Sequence, residues 1–151
     1  MADIDLKTLK KLRDETSASI ADCRRALDES NGNFDKALAW LQKRAAEIAA
    51  KKADRETSQG LIEAYIHQGG KVGVLVELLC ETDFVAKTDE FKHLAKEVGM
   101  QVAAMDPKDV ETLLKQEYIR DGSQTIEALV KGVVGKLGEN ITVKRFVRFE
   151  I

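Results

Sequence analysis

Residues 72–105 read VGVLVELLC, then ETDFVAK, then TDEFKHLAKEVGMQVAAM, and these three segments decide the fold. The first segment is a continuous apolar run, typical of a buried β-strand. In the third segment apolar residues recur at helical spacing, which predicts a helix over 88–105 with one core-facing stripe. That stripe contains Phe91, Leu94, Ala95, Val98, Val102 and Met105. Thr88 can cap this helix, and Asp89 and Glu90 suit the positive end of its dipole.

Between the strand and the helix lies Asp83-Phe84, an acid beside a large aromatic residue at the turn. Phe84 falls outside the helical stripe, so two interpretations are open. It can insert into a partner protein, as an aromatic residue in a connecting segment can do. It can instead fold back over the sheet as a lid on the core. Spacing alone favours the lid, since large aromatic side chains are mostly buried.

Three stretches of the chain, in the right order, resemble signature motifs of the elongation factor Ts family. They are residues 82–87 (TDFVAK), residues 12–16 (LRDET) with 22–27 (DCRRAL), and residues 138–141 (GENI) with 144–150 (KRFVRFE). That family is the guanine-nucleotide exchange factor for elongation factor Tu. The resemblance reaches from near residue 6 to the last residue, and it makes an inserting Phe84 the favoured interpretation.

The resemblance implies contacts with elongation factor Tu, in both its GDP-bound and its nucleotide-free form. Phe84, with Asp83 beside it and Thr82 and Val85 around them, would enter next to the magnesium site and displace the elements that hold the ion and the phosphates. On the amino-terminal side the implied contacts are Leu12, Arg13 and the loop of Thr16, Ser17, Ala18 and Ser19. The family usually has glycine where Ser17 stands, and serine loses some of the backbone freedom that glycine has.

Composition predicts a packed soluble protein, because 44% of the 151 residues are hydrophobic and 33% are charged. The net charge is −2 and no basic block occurs, which argues against direct nucleic-acid binding. No apolar run approaches a membrane span, and the amino terminus is charged. We therefore expect no membrane association and a cytoplasmic location, or an organellar matrix if a transit peptide has been removed.

The sequence offers no set of residues for covalent chemistry, so the predicted class is a binding protein and not an enzyme. The two cysteines, Cys23 and Cys80, each lie on an apolar stripe and are interpreted as buried hydrophobic residues. His67 and His93 have no neighbouring ligand set, so no metal and no cofactor are expected. The glycines at 132, 135 and 138 lack the pattern of a phosphate-binding loop and suggest close helix packing instead.

The predicted fold class is α+β, with residues 1–45 as a first domain of three short amphipathic helices. Ser19 and Asp22 can form a capping box, Gly32 suits a left-handed turn, and Asn33 can cap the third helix. Short helices are not stable alone and must pack together. The resemblance implies that this bundle has the ubiquitin-associated (UBA) type of fold. Residues 46–57 are predicted as a solvated helical linker with some mobility.

Residues 58–151 are predicted as an α+β core or dimerisation domain with a three-stranded, mostly antiparallel sheet. The first two strands form a hairpin over 60–81, and the last strand alternates so that one face is apolar apart from Arg145. Between them, residues 118–122 are expected to be a plain connection, and Ser123 is expected to cap the last helix.

The chain is short for the family, whose long members carry two related core halves. A homodimer is therefore expected, with the sheet or the final strand as its interface. The alternative function is a UBA-like peptide-binding scaffold joined to an oligomerisation domain, which would give Asp83 and Phe84 no role.

Overall fold

The structure is a computed structural model that describes residues 4–151, so the first three residues of the predicted amino-terminal domain lie outside the described part. Within residues 4–151 the chain forms seven helices and five strands. In chain order they are α1 (Leu6–Thr16), α2 (Ile20–Glu29), α3 (Phe34–Lys52), β1 (Gln59–Ile66), β2 (Val72–Cys80), α4 (Asp83–Ala86), α5 (Asp89–Met105), α6 (Val110–Lys115), β3 (Glu117–Tyr118), β4 (Asp121–Thr125), α7 (Ile126–Leu137) and β5 (Thr142–Glu150). The predicted α+β class is confirmed.

The main sheet has the strand order β1-β2-β5, and both pairings are antiparallel. The apolar run of β2 is the central strand, and its inward side chains Val76 and Leu78 are fully buried. Helix α5 packs over this inner face, with Phe91 and Val98 also fully buried. The predicted stripe is confirmed except at its last residue, because Met105 is half exposed at the end of the helix.

Strand β5 differs from its prediction because it contains a β-bulge. Leu78 pairs with Val143 and Glu77 pairs with Arg145, so Lys144 is an extra residue in β5. One inserted residue moves every later side chain to the opposite face of the sheet. The prediction of one apolar face along the whole strand is therefore wrong: Val143 faces the core, whereas the apolar side chains that follow at odd positions face outward.

The bulge and the pairing register give the main sheet an exposed apolar outer face. It contains Ile62 and Ile66 from β1, Leu75 from β2, and Val147 and Phe149 from β5, all classed as exposed. We call these five residues the outer sheet face. The Glu77–Arg145 ion pair, at 2.5 Å, lies on the same side of the sheet. A contiguous exposed apolar surface of this kind is typical of an interface.

The segment before α7 is a second, two-stranded sheet and not a plain connection. Two polar side chains of α5 explain why β3 and β4 form there. Buried Glu97 accepts a hydrogen bond from the Tyr118 hydroxyl. The side chain of buried Gln101 donates to the Glu117 carbonyl and accepts from the Ile119 amide, on either side of Tyr118. Burial and the Glu97 charge raise the pKa of Tyr118 above its usual value, so the hydroxyl stays a donor. The cap of α7 is Thr125 and not Ser123, which lies within β4.

Helices α1, α2 and α3 form the predicted amino-terminal bundle around a separate core. The predicted N-caps are confirmed: Ser19 accepts from the Asp22 amide at 3.0 Å, and Asn33 accepts from the Lys36 amide at 2.9 Å. The Asp22 carboxylate accepts from the Ser19 hydroxyl and not from its amide, so Ser19 is a simple cap and the full capping box does not form. Gly32 adopts the expected positive φ of 77°. The similarity of this bundle to the UBA fold stays a prediction.

Helix α3 belongs to both cores. Its first half contributes Ala37 and Leu41 to the bundle, and Ala49 lies in the core of the α+β part. The first half of the predicted linker is thus a continuation of α3 that packs on α7. The domain division at 45 and 57 stays a prediction.

The contact between α3 and α7 requires glycine at one position. A Cβ added to Gly135 would lie 2.9 Å from the Cβ of Ala45, whereas Gly132 on the same helix has open space. Gly135→Ala is expected to destabilise the protein by about 1–3 kcal/mol because the helices must move apart. Gly132→Ala is the matched control, and it should stabilise by up to ~1 kcal/mol because alanine favours a helix. Urea unfolding measures both, and equal effects would contradict this packing.

Candidate partner-binding site

The Asp83-Phe84 pair lies on a single helical turn, α4, between the central strand and α5. Thr82 begins the turn as its N-cap, with its hydroxyl oxygen 3.4 Å from the Val85 amide. Phe84 is 82% exposed, so its ring does not cover the core. The lid interpretation is therefore wrong. Asp83 forms an exposed ion pair with Lys87 at 3.1 Å, one helical turn away.

The base of this turn is anchored although its tip is exposed. Val85 and Ala86 are buried in the larger core. The Thr88 hydroxyl donates to the Val85 carbonyl at 2.7 Å, and the Cys80 thiol donates to the Thr82 carbonyl at 3.1 Å. Burial raises the pKa of the Cys80 thiol, which keeps it protonated as a donor. Phe84 is thus presented from a well-held turn.

An acidic side chain from the other end of the chain also contacts the turn. Glu139 follows the glycine that ends α7, and its carboxylate accepts from the Glu81 and Thr82 amides at 3.2 and 3.0 Å. It also accepts from the Thr82 hydroxyl at 2.7 Å. Sequence reasoning missed Glu139, although it lies within the GENI stretch at 138–141 that carries part of the family resemblance.

Two of the predicted contact residues, Leu12 and Val85, are buried in the free chain. Leu12 has no exposed surface and packs in the bundle core, and Val85 lies in the larger core. Both side chains are apolar and face inward from short helices, so burial is the lower free-energy state. Their contact with a partner stays a prediction, and the structure shows only that each is buried beside an exposed residue, Arg13 in the bundle and Phe84 in the turn.

The loop between α1 and α2 is a compact, hydrogen-bonded corner. The Thr16 hydroxyl donates to the Leu12 carbonyl at 2.7 Å and accepts from the Ala18 amide at 3.2 Å. Ser17 ends α1 in the left-handed region, with φ 54°, and its amide donates to the Arg13 carbonyl at 2.7 Å. This is the conformation that favours glycine.

The cost of serine in that conformation leads to a stability prediction. Ser17→Gly is expected to stabilise the protein by about 0.5–1 kcal/mol, because a left-handed helix end is strained for residues with a Cβ. Ser30 ends α2 with φ −99°, where glycine brings no such relief. Ser30→Gly is therefore the control, and thermal unfolding measures both variants. A Ser17→Gly protein no more stable than Ser30→Gly would contradict the assignment of strain.

The two groups of predicted contact residues belong to different parts of the molecule. The loop residues 16–19 lie on the bundle, and Phe84 lies on the α+β core, while α3 packs on both.

Among residues 4–151 no cluster of three or more potential metal ligands occurs. In the same described part, no helix has the length and apolar character needed to cross a membrane.

Comparisons with known proteins agree with the resemblance. A family model described as elongation factor TS matches residues 81–151, which contain the turn and Glu139. An elongation factor Ts from Thermoanaerobacter sp. (strain X514) is 40% identical over 192 aligned residues, covering 97% of this chain and 94% of the relative. The chloroplastic elongation factor Ts of Rhodomonas salina is 41% identical over 196 aligned residues, covering 99% of this chain and 90% of the relative.

A third relative is longer than this chain. The elongation factor Ts of Nostoc sp. (strain PCC 7120 / SAG 25.82 / UTEX 2576) is 45% identical over 151 residues, covering all of this chain and 48% of the relative. By fold and by its relatives, the protein is thus an α+β translation elongation factor. More narrowly, the chain belongs to the elongation factor Ts family.

Proposed function

We propose that this protein is the guanine-nucleotide exchange factor of elongation factor Tu, acting in the bacterial cytoplasm or an organellar matrix. It binds the GDP-bound partner, disturbs the magnesium and phosphate site, and lets GDP leave so that GTP can rebind. The observation that carries the proposal is the exposed Phe84 on an anchored turn inside the family motif. No covalent step is involved.

The exposed phenyl group supplies the binding free energy for this action. Moving a side chain as large as Phe84 from water into an apolar site is worth about 2–3 kcal/mol. If the site opens only when the magnesium-binding elements move, that free energy favours the nucleotide-free state. Binding of this protein then weakens the binding of GDP, and binding of GDP weakens the binding of this protein by the same ratio.

Asp83 and the bundle have separate proposed roles. Within residues 4–151 the Asp83 carboxylate pairs only with Lys87, and this exposed pair costs little to exchange for a partner's donor. The carboxylate would fix the orientation of the inserted ring. Arg13 and the loop residues 16–19 would hold the nucleotide-binding domain of elongation factor Tu from another side. The peptide-scaffold alternative gives no role to this turn.

A binding measurement tests the direction of the coupling. Calorimetric titration of the protein into nucleotide-free and into GDP-loaded elongation factor Tu should give at least a ~10-fold tighter dissociation constant for the nucleotide-free form. Titration in the presence of excess GDP is the control and should lower the apparent affinity. Equal affinity for the two forms would contradict an exchange function, because a ligand with no preference shifts no equilibrium.

We also propose that the protein forms a homodimer through the outer sheet face. The five apolar side chains of that face leave a sheet covered by α5 on one side only. A second copy related by a two-fold axis would cover it with an identical surface. The alignment with the Thermoanaerobacter relative spans 192 positions against the 151 residues of this chain, so that relative carries residues with no counterpart here.

A further inference from the structure

We propose that Glu139 is a positioning residue for Phe84, acting through Thr82, an inference that rests on the exchange function proposed above. Glu139 lies 57 residues from Thr82 in sequence, and it is half-buried against the turn. It does not belong to the exposed surface offered to the partner. Its proposed task is to fix the direction in which the Phe84 ring leaves the protein.

The Glu139 carboxylate accepts hydrogen bonds from two backbone amides that follow the end of strand β2. Strand β2 ends at Cys80, and the next two amides, of Glu81 and Thr82, leave the hydrogen-bonding ladder. Both donate to one oxygen of Glu139, at 3.2 and 3.0 Å, and the Thr82 hydroxyl donates to its other oxygen at 2.7 Å. Charge-assisted hydrogen bonds of this kind are stronger than neutral ones. Glu139 therefore fixes the backbone and the side chain of Thr82 together.

Fixing the Thr82 side chain fixes the start of the helical turn. The hydroxyl proton points at Glu139, which leaves a lone pair directed at the Val85 amide, 3.4 Å away. Without Glu139 the hydroxyl would be free to rotate away from this capping position. Phe84 lies between Thr82 and Val85, and its exposed ring has little of its own packing to hold it. The direction of the ring is therefore set by its two neighbours.

The residue after Glu139 ties the same cluster to the end of α3. The Asn140 amide donates to the Glu81 carboxylate at 2.8 Å, while the Glu81 amide donates to the Glu139 carboxylate. The two segments are therefore joined by hydrogen bonds in both directions. The Asn140 side chain donates to the Ala53 and Arg55 carbonyls at 3.3 and 2.8 Å. Since α3 also packs in the bundle core, the cluster joins the turn to a helix of the bundle, and the second proposed contact region lies elsewhere on that bundle, at α1 and the loop after it.

A role in positioning and a role in stability alone predict different results, and three variants separate them. Glu139→Ala should slow stimulated GDP release about ten-fold, as expected for the loss of a charge-assisted hydrogen-bond network. Glu139→Gln should recover most of the rate, because its amide oxygen can still accept from the two amides. Glu97→Gln is the matched control: it alters another network carboxylate, which holds β3 and β4 and not the turn. It should lower the melting temperature without slowing exchange.

A double-mutant cycle with Phe84→Ala tests whether Glu139 acts through the ring. If it does, adding Glu139→Ala to Phe84→Ala causes no further slowing, because no ring is left to position. If the two fold-changes multiply, Glu139 acts independently of Phe84 and the proposal is overturned. Should Glu139→Ala fold poorly, the same cycle is run with Glu139→Gln, for which a smaller but equally non-multiplicative effect is expected.

Amide hydrogen exchange in the free protein separates this proposal from the proposed function. The Val85 and Lys87 amides should exchange at least ~10-fold faster in Glu139→Ala than in wild type, with core strand amides unchanged. Unchanged protection of these amides would overturn the positioning role even if the protein is an active exchange factor. Wild-type protein that fails to release GDP would overturn the proposed function, and with it any role of Glu139 in exchange.

Discussion

Phe84→Ala is expected to slow the GDP release stimulated by this protein about a hundred-fold, as the loss of a hot-spot aromatic side chain worth ~3 kcal/mol would do. The reason is that the ring is the largest apolar group on the turn that the solvent can reach. Because it makes little contact with its own protein, its removal should change the free energy of unfolding by less than ~0.5 kcal/mol. Stopped-flow release of a fluorescent GDP analogue gives the rate.

The control for this substitution is Met105→Ala, which removes another exposed apolar side chain at the far end of α5. Its exchange rate should equal that of wild type. Circular dichroism spectra of both variants should match the wild-type spectrum. A folded Phe84→Ala protein with normal exchange would show that the ring does not act on the nucleotide site.

The second large effect is expected at the outer sheet face. Phe149→Asp should convert the proposed dimer to monomer, because a two-fold interface loses two phenyl groups, about 4–6 kcal/mol in total, and gains two buried charges. Phe149 is 73% exposed in the single chain, so the monomer itself should remain folded. Sedimentation equilibrium over a range of protein concentrations measures the change.

Ala104→Asp is the matched control for the charge. Ala104 is exposed on α5, which covers the inner side of the sheet, so an aspartate there lies away from the proposed interface. This variant should sediment as wild type does. If wild type is monomeric at high concentration, or if Phe149→Asp remains dimeric, the outer sheet face is not the contact between copies.

Periodicity predicted the main elements of the fold well because their apolar patterns are long. The stretch at 72–105 gave the central strand, the turn and α5, and the caps at Thr88, Ser19 and Asn33 followed from local side-chain chemistry. Such features depend on residues within one turn of each other. The strand, the helix and the caps can therefore be predicted from the sequence without knowing which distant residues they contact.

The errors arose where a distant partner decides the structure. The bulge at Lys144 depends on pairing with β2, and a strand pattern of period two carries no mark of an inserted residue. Glu97 and Gln101 look like surface residues of an amphipathic helix. They are buried because the hydroxyl of Tyr118 and the backbone near it complete their hydrogen bonds. The small sheet that results was therefore predicted as a connection.

The candidate site was predictable in identity but not in geometry. The family resemblance singled out Asp83 and Phe84, whereas spacing alone favoured a buried ring that the structure places in solvent. Burial of Leu12 followed from the helical stripe it shares with Leu9, which was a usable signal. Glu139 was hidden by its sequence distance from Thr82. Only its position in a signature stretch, just after a helix-ending glycine, pointed to it.

The exchange function proposed above requires this protein to release GDP from elongation factor Tu without being consumed. The test follows release of a fluorescent GDP analogue preloaded on elongation factor Tu, with excess unlabelled GDP in solution. Release is compared without the protein and with the protein at roughly one hundredth of the concentration of elongation factor Tu. At that ratio each molecule of the protein must act repeatedly. Complete release is expected, at a rate proportional to the amount of protein added. Release at the spontaneous rate, from a folded sample and a cognate partner, would contradict the exchange function.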